Sequence, residues 1–315
     1  MTPVGDSAAV GDTPLRLGID LGGTKIAAVV LDRAGQEVWH LRRPTPRGDY
    51  AGTLDAIALI VAEAERTLGT RVTVGLGIPG APSRITGRIK NANSVWLNDR
   101  PLQADLEHCL QRPVRLANDA NCLVVSEATD GAAAGADVVF GVILGTGTGG
   151  GLVVHGRLLE GRNAIGGEWG HNPLPWPTPE ELPGPACYCG QSGCIETWLS
   201  GPALARDHHI VTGQSLVGEA IVAQAEAGSA DALATLDRWY GRAARALATI
   251  INVVDPDVIV VGGGLSRISG FYDAVPKRWG RWVFSDAVET RLVPARHGDA
   301  SGVRGAAWLW PEYNR

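Results

Sequence analysis

The sequence lacks any apolar run long enough to cross a membrane, and it has no long run of basic residues. Its 315 residues carry a formal net charge of −5, so we expect neither a nucleic acid nor a membrane as a partner. Residues 1–14 have neither the cationic start nor the apolar core of a signal peptide, and we predict a flexible tail there. The five cysteines are an odd number, which favours a reducing, cytoplasmic location over a disulfide framework.

Three of the five cysteines lie within eight residues of one glycine-containing loop. These are Cys187, Cys189 and Cys194, and His171 precedes them. Three thiolates and one imidazole make the tetrahedral ligand set that structural zinc favours. The alternative is a group of free thiols, since cysteine often packs as a small apolar residue. The clustering favours zinc.

Two common nucleotide-binding motifs are absent. Lys25 is followed by Ile26 and further apolar residues, and not by the serine or threonine of a P-loop. Gly145, Gly147 and Gly150 match G-x-G-x-x-G, but the chain continues with a strand pattern where a dinucleotide-binding turn must open a helix. Both classes of site are therefore excluded.

A weak internal repeat organises the chain. Residues 17–31 align without gaps on residues 140–154, and each copy reads as an apolar strand, a glycine-threonine turn and a second strand. We predict two such hairpins in two related lobes. The pattern around them indicates the α/β class, with strands over residues 72–78, 114–117 and 257–261, and helices over residues 53–68, 121–134 and 230–253.

The glycine turns are candidates for holding phosphate, because exposed backbone N–H groups and threonine hydroxyls bind phosphate oxygens. The alternative is that glycine only permits tight turns. Lys25, at the start of a strand, is also typical of a solvated edge charge. The candidate nucleotide-binding residues are Gly22, Gly23, Thr24, Lys25, Gly145, Thr146, Gly147, Thr148, Gly149, Gly262, Gly263 and Gly264.

Several short segments together carry a family resemblance. They are residues 19–25 (IDLGGTK), 118–121 (NDAN), 145–147 (GTG), 168–171 (EWGH) and 187–196 (CYCGQSGCIE). This set resembles the ROK family of sugar kinases from about residue 15 onward. Within that family, residues 90–97, 167–176 and 298–310 are most similar to bacterial fructokinases, also described as manno(fructo)kinases.

The resemblance implies a two-lobed, actin-like (ribonuclease H-like) α/β fold with a cleft between the lobes. We place the N-terminal lobe at residues 15–125 and the C-terminal lobe at 126–299, with a zinc-binding loop over 171–196. A terminal helix, at about 300–315, is expected to pack back on the N-terminal lobe. The resemblance also implies a homodimer.

The implied activity is ATP- and Mg²⁺-dependent phosphorylation of a hexose, with D-fructose giving fructose 6-phosphate and mannose as a second substrate. One alternative is a ROK kinase for glucose or N-acetylglucosamine. Another is a non-catalytic ROK regulator that senses sugar. Such regulators carry an N-terminal helix-turn-helix, for which residues 1–14 show no pattern.

The family's functional positions map onto residues of this sequence. Asp119 matches the catalytic base, although an aspartate there is also typical of a helix N-cap. Asp20 is expected to hold Mg²⁺ through water, the alternative being a turn aspartate. Positions that bind sugar in the family match Asn118, Asp119, Glu168, His171 and Glu196, and Gly80 and Asn93 are further candidates. Lone glutamates are usually solvated surface residues, but Glu168 and Glu196 lie close in sequence to metal-ligand candidates. Trp169 replaces a commonly aliphatic residue and is expected to reshape the sugar pocket.

Overall fold

The computed structural model describes residues 15–310, which form two five-stranded mixed sheets and ten α-helices. The predicted tail at residues 1–14 and the last part of the predicted terminal helix lie outside the described residues. Among the helices described, none combines the length and the apolar character needed to cross a bilayer.

Both predicted hairpins are present, and each starts one sheet. β1 pairs antiparallel with β2 in the first sheet, and β8 pairs antiparallel with β9 in the second. The first sheet has the order β3-β2-β1-β4-β7, and the second has the order β10-β9-β8-β11-β12. The strands are β1 (Arg16–Leu21), β2 (Lys25–Leu31), β3 (Glu37–Pro44), β4 (Thr73–Ile78), β5 (Ala81–Pro82), β6 (Ile89–Lys90), β7 (Val114–Asn118), β8 (Val138–Leu144), β9 (Thr148–Val154), β10 (Arg157–Leu158), β11 (Val258–Gly262) and β12 (Arg291–Pro294).

The helices cover the sheets through apolar faces, and the longest begins at the N-cap Ser229. The helices are α1 (Tyr50–Leu68), α2 (Leu102–Leu110), α3 (Asp119–Thr129), α4 (Glu196–Leu199), α5 (Gly201–Thr212), α6 (Gly218–Glu226), α7 (Ala230–Val254), α8 (Gly270–Ala274), α9 (Pro276–Trp279) and α10 (Ser301–Trp308). Short 3₁₀ turns lie at Val95–Leu97, Trp169–His171, Pro179–Glu181, Gly264–Arg267 and Gly298–Ala300.

Helix α10 packs directly on the backbone of the first sheet. A Cβ atom at Gly18 of β1 would lie 2.0 Å from the Val303 carbonyl oxygen, and one at Gly75 of β4 would lie 1.9 Å from that of Ala306. Glycine is therefore required on both strands for this approach. Residues 301–308 thus pack closely against β1 and β4.

Helix α3 ends earlier than the sequence pattern predicts. The pattern extended to residue 134, but the helix stops at Thr129. The cause is Glu127, which is fully buried and accepts a hydrogen bond from the Ala132 backbone N–H at 2.8 Å and from the Ser301 hydroxyl at 2.8 Å. This carboxylate turns the chain out of α3 and ties the helix to the start of α10.

Candidate active site and metal centre

Asp119 stands where β7 ends and α3 begins. Asn118 is the N-cap of α3, because its side-chain oxygen accepts from the Asn121 N–H at 2.7 Å. The cap alternative considered for Asp119 is therefore wrong. Asp119 is the first helical residue, its Oδ1 accepts from the Ala120 N–H at 2.8 Å, and its side chain remains accessible to solvent.

Asp20 lies beside Asp119 at the carboxyl edge of the first sheet. β1, β4 and β7 are parallel neighbours, so their carboxyl ends meet at one edge, and Gly77 of β4 pairs with Asp20. A Cβ at Gly77 would lie 3.8 Å from Asp20 Oδ1 and 3.2 Å from the Cys122 sulfur. The glycine thus leaves room for these groups to approach.

The environment raises the pKa of both carboxyl groups. Although Asp119 is open to solvent, the protein packed around its carboxyl group displaces water from it and raises its pKa. Burial, followed by the charge of Asp119, raises the pKa of Asp20 to about 6, against a smaller lowering by Lys25. Burial and the same two carboxylates raise the pKa of the Cys122 thiol well above its usual value. Two interacting carboxylates with raised pKa values at a cleft are typical of an acid–base or cation-binding site.

The first glycine turn, residues 22–25, is open. The Gly22 N–H donates to the Lys25 carbonyl at 3.1 Å, and Gly23, Thr24 and Lys25 are exposed. The Thr45 hydroxyl donates to the Gly22 carbonyl at 2.7 Å. The turn therefore presents its tip to the cleft with free backbone on one side.

The second glycine turn, residues 145–148, is covered by Glu196. The Thr148 N–H donates to Glu196 Oε2 at 2.8 Å, and a Cβ at Gly147 would lie 2.6 Å from that oxygen. Thr146 is exposed, whereas the Thr148 hydroxyl is buried without a hydrogen-bond partner among the described residues. Gly149 already belongs to β9.

The third glycine cluster packs against the end of the second hairpin's first strand. Gly263 has φ +85°, and a Cβ there would lie 2.4 Å from the Leu144 carbonyl oxygen. A 3₁₀ turn, Gly264–Arg267, follows the cluster. Beside this cluster is a cavity of about 380 Å³, which is lined by Gly263, Ser266, Arg267, Ser269, Tyr272, Pro294, Ala295, Gly298 and Asp299.

Glu168 faces Asp119 and Glu196. Burial raises the pKa of Glu168, the charges of Asp119 and Glu196 raise it further, and His171 and Lys90 lower it. A cavity of about 1160 Å³ extends from Glu168 and Asn118 toward the β5–β6 hairpin. Glu168 therefore lies within electrostatic range of both other carboxylates and also lines this cavity.

Gly80 and Asn93 lie near Lys90, whose charge lowers the pKa of Glu168. Gly80 has φ +95°, and a Cβ there would lie 2.5 Å from the Lys90 carbonyl oxygen and 2.8 Å from the Ala92 nitrogen. This contact holds the loop of residues 90–93 against Gly80, and Asn93 of that loop is exposed. The neighbouring Ser94 lies near Gly23, so the loop adjoins the first glycine turn.

The four candidate metal ligands come together. One ligand atom from each of His171, Cys187, Cys189 and Cys194 lies within 4.8 Å of all the others. The Cys189 and Cys194 sulfurs are 3.6 Å apart, and the Cys187 sulfur is 3.6 Å from His171 Nδ1. A tetrahedron with metal–sulfur bonds of 2.3 Å separates its sulfurs by about 3.8 Å. The set therefore fits a four-coordinate zinc ion.

Tyr188 is a contact that sequence reasoning missed. Its hydroxyl lies 3.0 Å from His171 Nε2, while His171 Nδ1 faces the cysteines. Both ring nitrogens of His171 are thus engaged, so a sugar contact by His171 requires Tyr188 to move. The only sequence signal was an aromatic residue between two cysteines.

Trp169 does not line the cleft. It is 3% exposed, its indole N–H donates to the Gly149 carbonyl at 2.9 Å, and its ring packs edge-on against Phe140. Any effect of Trp169 on the sugar pocket would therefore be indirect, through the second hairpin. Its indole supports the second hairpin from beneath.

Comparison with known proteins gives a consistent result. An N-acetyl-D-glucosamine kinase from Salmonella gallinarum is 43% identical over 296 residues, which cover 93% of this chain and 98% of the relative. The crystal structure of a ROK hexokinase from Thermus thermophilus is 34% identical with a TM-score of 0.83, over 93% of this chain and 96% of that chain. A ROK family glucokinase from Streptomyces griseus, solved with glucose and AMPPNP, is 30% identical with a TM-score of 0.75, over 94% and 98% of the two chains.

These similarities confirm the predicted α/β, two-lobed actin-like fold with a cleft between the lobes. The sequence profile of the ROK family matches residues 16–313, which is nearly the whole chain. The named relatives are sugar kinases. The chain therefore belongs to the ROK family.

Proposed function

We propose that this protein is an ATP-dependent sugar kinase whose substrate is N-acetyl-D-glucosamine, phosphorylated on its 6-hydroxyl. The observation that carries the choice of sugar is the 43% identity to N-acetyl-D-glucosamine kinase, which extends over almost the full length of both chains. The motif resemblance pointed to fructose and gave N-acetylglucosamine as an alternative. The named relatives favour that alternative.

The nucleotide is proposed to lie across the two glycine turns. Backbone N–H groups of the first and second turns bind the phosphate oxygens from opposite sides, as turns of this kind do for anions. The cavity of about 380 Å³ beside Gly263 has the size and the mixed lining suited to an adenine base. Asp20, with a pKa near 6, is ionised at neutral pH and is proposed to hold Mg²⁺ through water.

The sugar is proposed to lie between the carboxylates and the residue 90–93 loop. Glu168 and Glu196 accept hydrogen bonds from sugar hydroxyls. Asn118 uses its side-chain oxygen as the α3 cap, so its amide nitrogen is the part that donates to the sugar. Asn93, on the opposite loop, contacts the sugar from the other side.

The proposed reaction needs one proton acceptor. Asp119 accepts the proton of the sugar 6-hydroxyl as the oxygen forms its bond to the γ-phosphorus and the bond from that phosphorus to the β-phosphate bridging oxygen breaks. The products are the sugar 6-phosphate and ADP. The raised pKa of Asp119 suits this role, because a base is most effective when its pKa approaches the working pH.

Structural zinc is proposed at His171, Cys187, Cys189 and Cys194. These four residues fill a tetrahedral shell, so the ion would order the loop. Glu196 begins the helix that follows Cys194, and Glu168 precedes His171 by three residues. Ordering the loop therefore aims two sugar-binding carboxylates.

The test is an ADP-release assay with N-acetylglucosamine, glucose, mannose and fructose, each over a full concentration range. We expect the highest kcat/KM for N-acetylglucosamine. A higher value for fructose would replace the proposed substrate while leaving the kinase assignment intact. Sugar binding by calorimetry without ADP release for any of the four would overturn the kinase and favour a sugar-sensing regulator.

A further inference from the structure

Glu181 is a buried carboxylate in the middle of the loop between His171 and Cys187, and no step proposed above uses it. Its residue exposure is 8%, unlike that of its neighbour Glu180, which is exposed. The side chain also caps its own 3₁₀ turn by accepting from the Thr178 N–H at 2.9 Å. A buried acid in a proline-rich loop needs a partner.

Two arginines of α7 supply that partner. Arg245 donates to both oxygens of Glu181 at 2.8 Å, and Arg242 donates to Oε1 at 2.8 Å. All three side chains are at most 9% exposed. Burial alone would raise the pKa of Glu181, but the two guanidinium groups outweigh it and hold that pKa at about 2. The carboxylate is therefore charged at every physiological pH.

One of these arginines, Arg242, also reaches the other side of the metal loop, residues 171–196, which carries the four candidate ligands. The Arg242 guanidinium stacks 4.6 Å over the ring of Trp198, which lies in α4, the helix that begins at Glu196. Arg242 also donates to Asp207 of α5 at 2.8 Å. One guanidinium group thus contacts the chain both before and after the cysteines.

The segment after Glu181 also packs on the cysteine loop. A Cβ at Gly184 would lie 2.5 Å from the Gly193 Cα, and Gly193 precedes Cys194. The Gly193 N–H donates to the Pro185 carbonyl at 2.8 Å. Displacement of Glu181 would therefore be passed through Gly184 and Gly193 to the start of α4.

We propose that Glu181, Arg242 and Arg245 form a positioning cluster that fixes the metal loop to α7 and thereby sets the place of Glu196 and the affinity for sugar. Replacing a buried ion pair by apolar residues of similar size is often neutral for stability, whereas forked hydrogen bonds fix one orientation. For that reason we assign the cluster the role of positioning the loop and not that of adding stability. The link to sugar affinity rests on the sugar-kinase function proposed above.

The test compares Glu181→Gln with Glu180→Gln, a matched change at the exposed neighbouring residue. We expect Glu181→Gln to raise the sugar KM by roughly tenfold, the lower end of the effect of losing a residue that orients a ligand-bearing group, with a smaller rise in the ATP KM. Hydrogen–deuterium exchange should become faster across residues 172–199. Glu180→Gln should match the wild type in both measurements.

A second variant covers the case in which Glu181→Gln fails to fold. Glu181→Gln/Arg245→Gln removes one negative and one positive charge together, which keeps the net charge of the cluster unchanged. It is expected to give the same rise in sugar KM and the same faster exchange.

Two results would overturn the positioning proposal, and a third would refute the proposed function instead. Wild-type sugar KM and wild-type exchange over residues 172–199 in a folded variant would overturn the proposal. So would a lower kcat with both KM values unchanged, since that is the result of losing active protein. A wild-type enzyme that phosphorylates no sugar would instead refute the proposed function, and the exchange comparison would still decide whether Glu181 anchors the loop.

Discussion

In the first glycine turn, Gly23, Thr24 and Lys25 are exposed, whereas in the second turn Thr146 is exposed but Gly147 and Thr148 lie against the carboxylate of Glu196. The two hairpins align residue for residue, and the aspartate of the first, Asp20, corresponds to Ile143 in the second. Each turn nevertheless has a carboxylate beside it. In the first hairpin it comes from the strand itself, and in the second it comes from α4, which follows the metal loop.

The two glycine turns thus share one sequence motif but have different neighbouring residues. The strand carboxylate of the first hairpin, that of Asp20, lies near Asp119, whose charge helps to raise the pKa of Asp20. The carboxylate beside the second hairpin, that of Glu196, accepts from the Thr148 N–H, so it joins a turn proposed to bind the nucleotide to a helix proposed to begin with a sugar-binding residue. We therefore expect mutations at the two turns to have unequal consequences.

The largest effect is expected at Asp119, which lies between the two hairpins in the sequence. Asp119→Asn should lower kcat by roughly 10²- to 10⁴-fold, the range typical of losing a general base, while the sugar Kd stays close to that of the wild type. Steady-state kinetics and calorimetry measure the two quantities. Normal turnover in this variant would show that the base lies elsewhere, with Asp20 as the next carboxylate to test.

Loss of the metal should affect the second turn and spare the first. Cys189→Ser is expected to raise the sugar KM by about tenfold or more, because the loop that carries Glu196 loses a ligand, while ATP binding changes less. Elemental analysis should find about one zinc per wild-type chain. Cys109→Ser, at an exposed cysteine of α2, is the control. Metal-free protein with an unchanged sugar KM would break the link between the loop and the sugar.

A pair of alanine substitutions compares the turns directly. A Cβ at Gly147 would lie 2.6 Å from Glu196 Oε2, whereas one at Gly23 has only the Ser94 hydroxyl at 3.5 Å, an ordinary contact. Gly147→Ala should therefore raise the KM of both sugar and ATP by about tenfold, or 1.4 kcal/mol each. Gly23→Ala should change each by less than about twofold. Equal effects at the two glycines would contradict the unequal surroundings described here.

The smallest effect is a change in stability at Asp20. Its folded-state pKa of about 6 lies above the unfolded value of 3.8, so the folded protein loses stability from this group as the pH rises through 6. Asp20→Asn should therefore raise the Tm at pH 7 by about 2–4 °C, as for 1 kcal/mol in a protein of this size, with the gain shrinking toward pH 4. Calorimetry without ligands measures it, with the exposed Asp55→Asn as the control for losing one charge. A gain that grows as the pH falls would refute the sign.

Features encoded in adjacent residues could be predicted from the sequence. The hairpins, the central strands and the position of Asp119 after β7 follow from apolar patterns and glycine turns, and the four metal-ligand candidates stand within one loop and its approach. The early end of α3 could not be predicted, because it depends on Glu127 meeting Ser301, far along the chain.

The contacts that shape the cleft are also distant in sequence. Nothing local indicates that Glu196 reaches Thr148, or that Glu181, in a proline-rich loop, meets Arg242 and Arg245. The substrate is still harder to predict from the sequence, since sugars of similar shape differ by one or two hydroxyl or acetamido groups. Motif similarity alone favoured fructose, and only full-length similarity favoured N-acetylglucosamine.

The seat of α10 on Gly18 and Gly75 also sets the order in which the protein matures on the ribosome. β1 and β4 are synthesised early, whereas α10 follows residues 119–300, which include the entire second sheet. Chains of this size generally fold unit by unit from the N-terminus during synthesis. The face of the first sheet that α10 covers therefore stays exposed until residues 301–308 have been synthesised. We expect the nascent chain to need chaperone protection at its first sheet for longer than at its second.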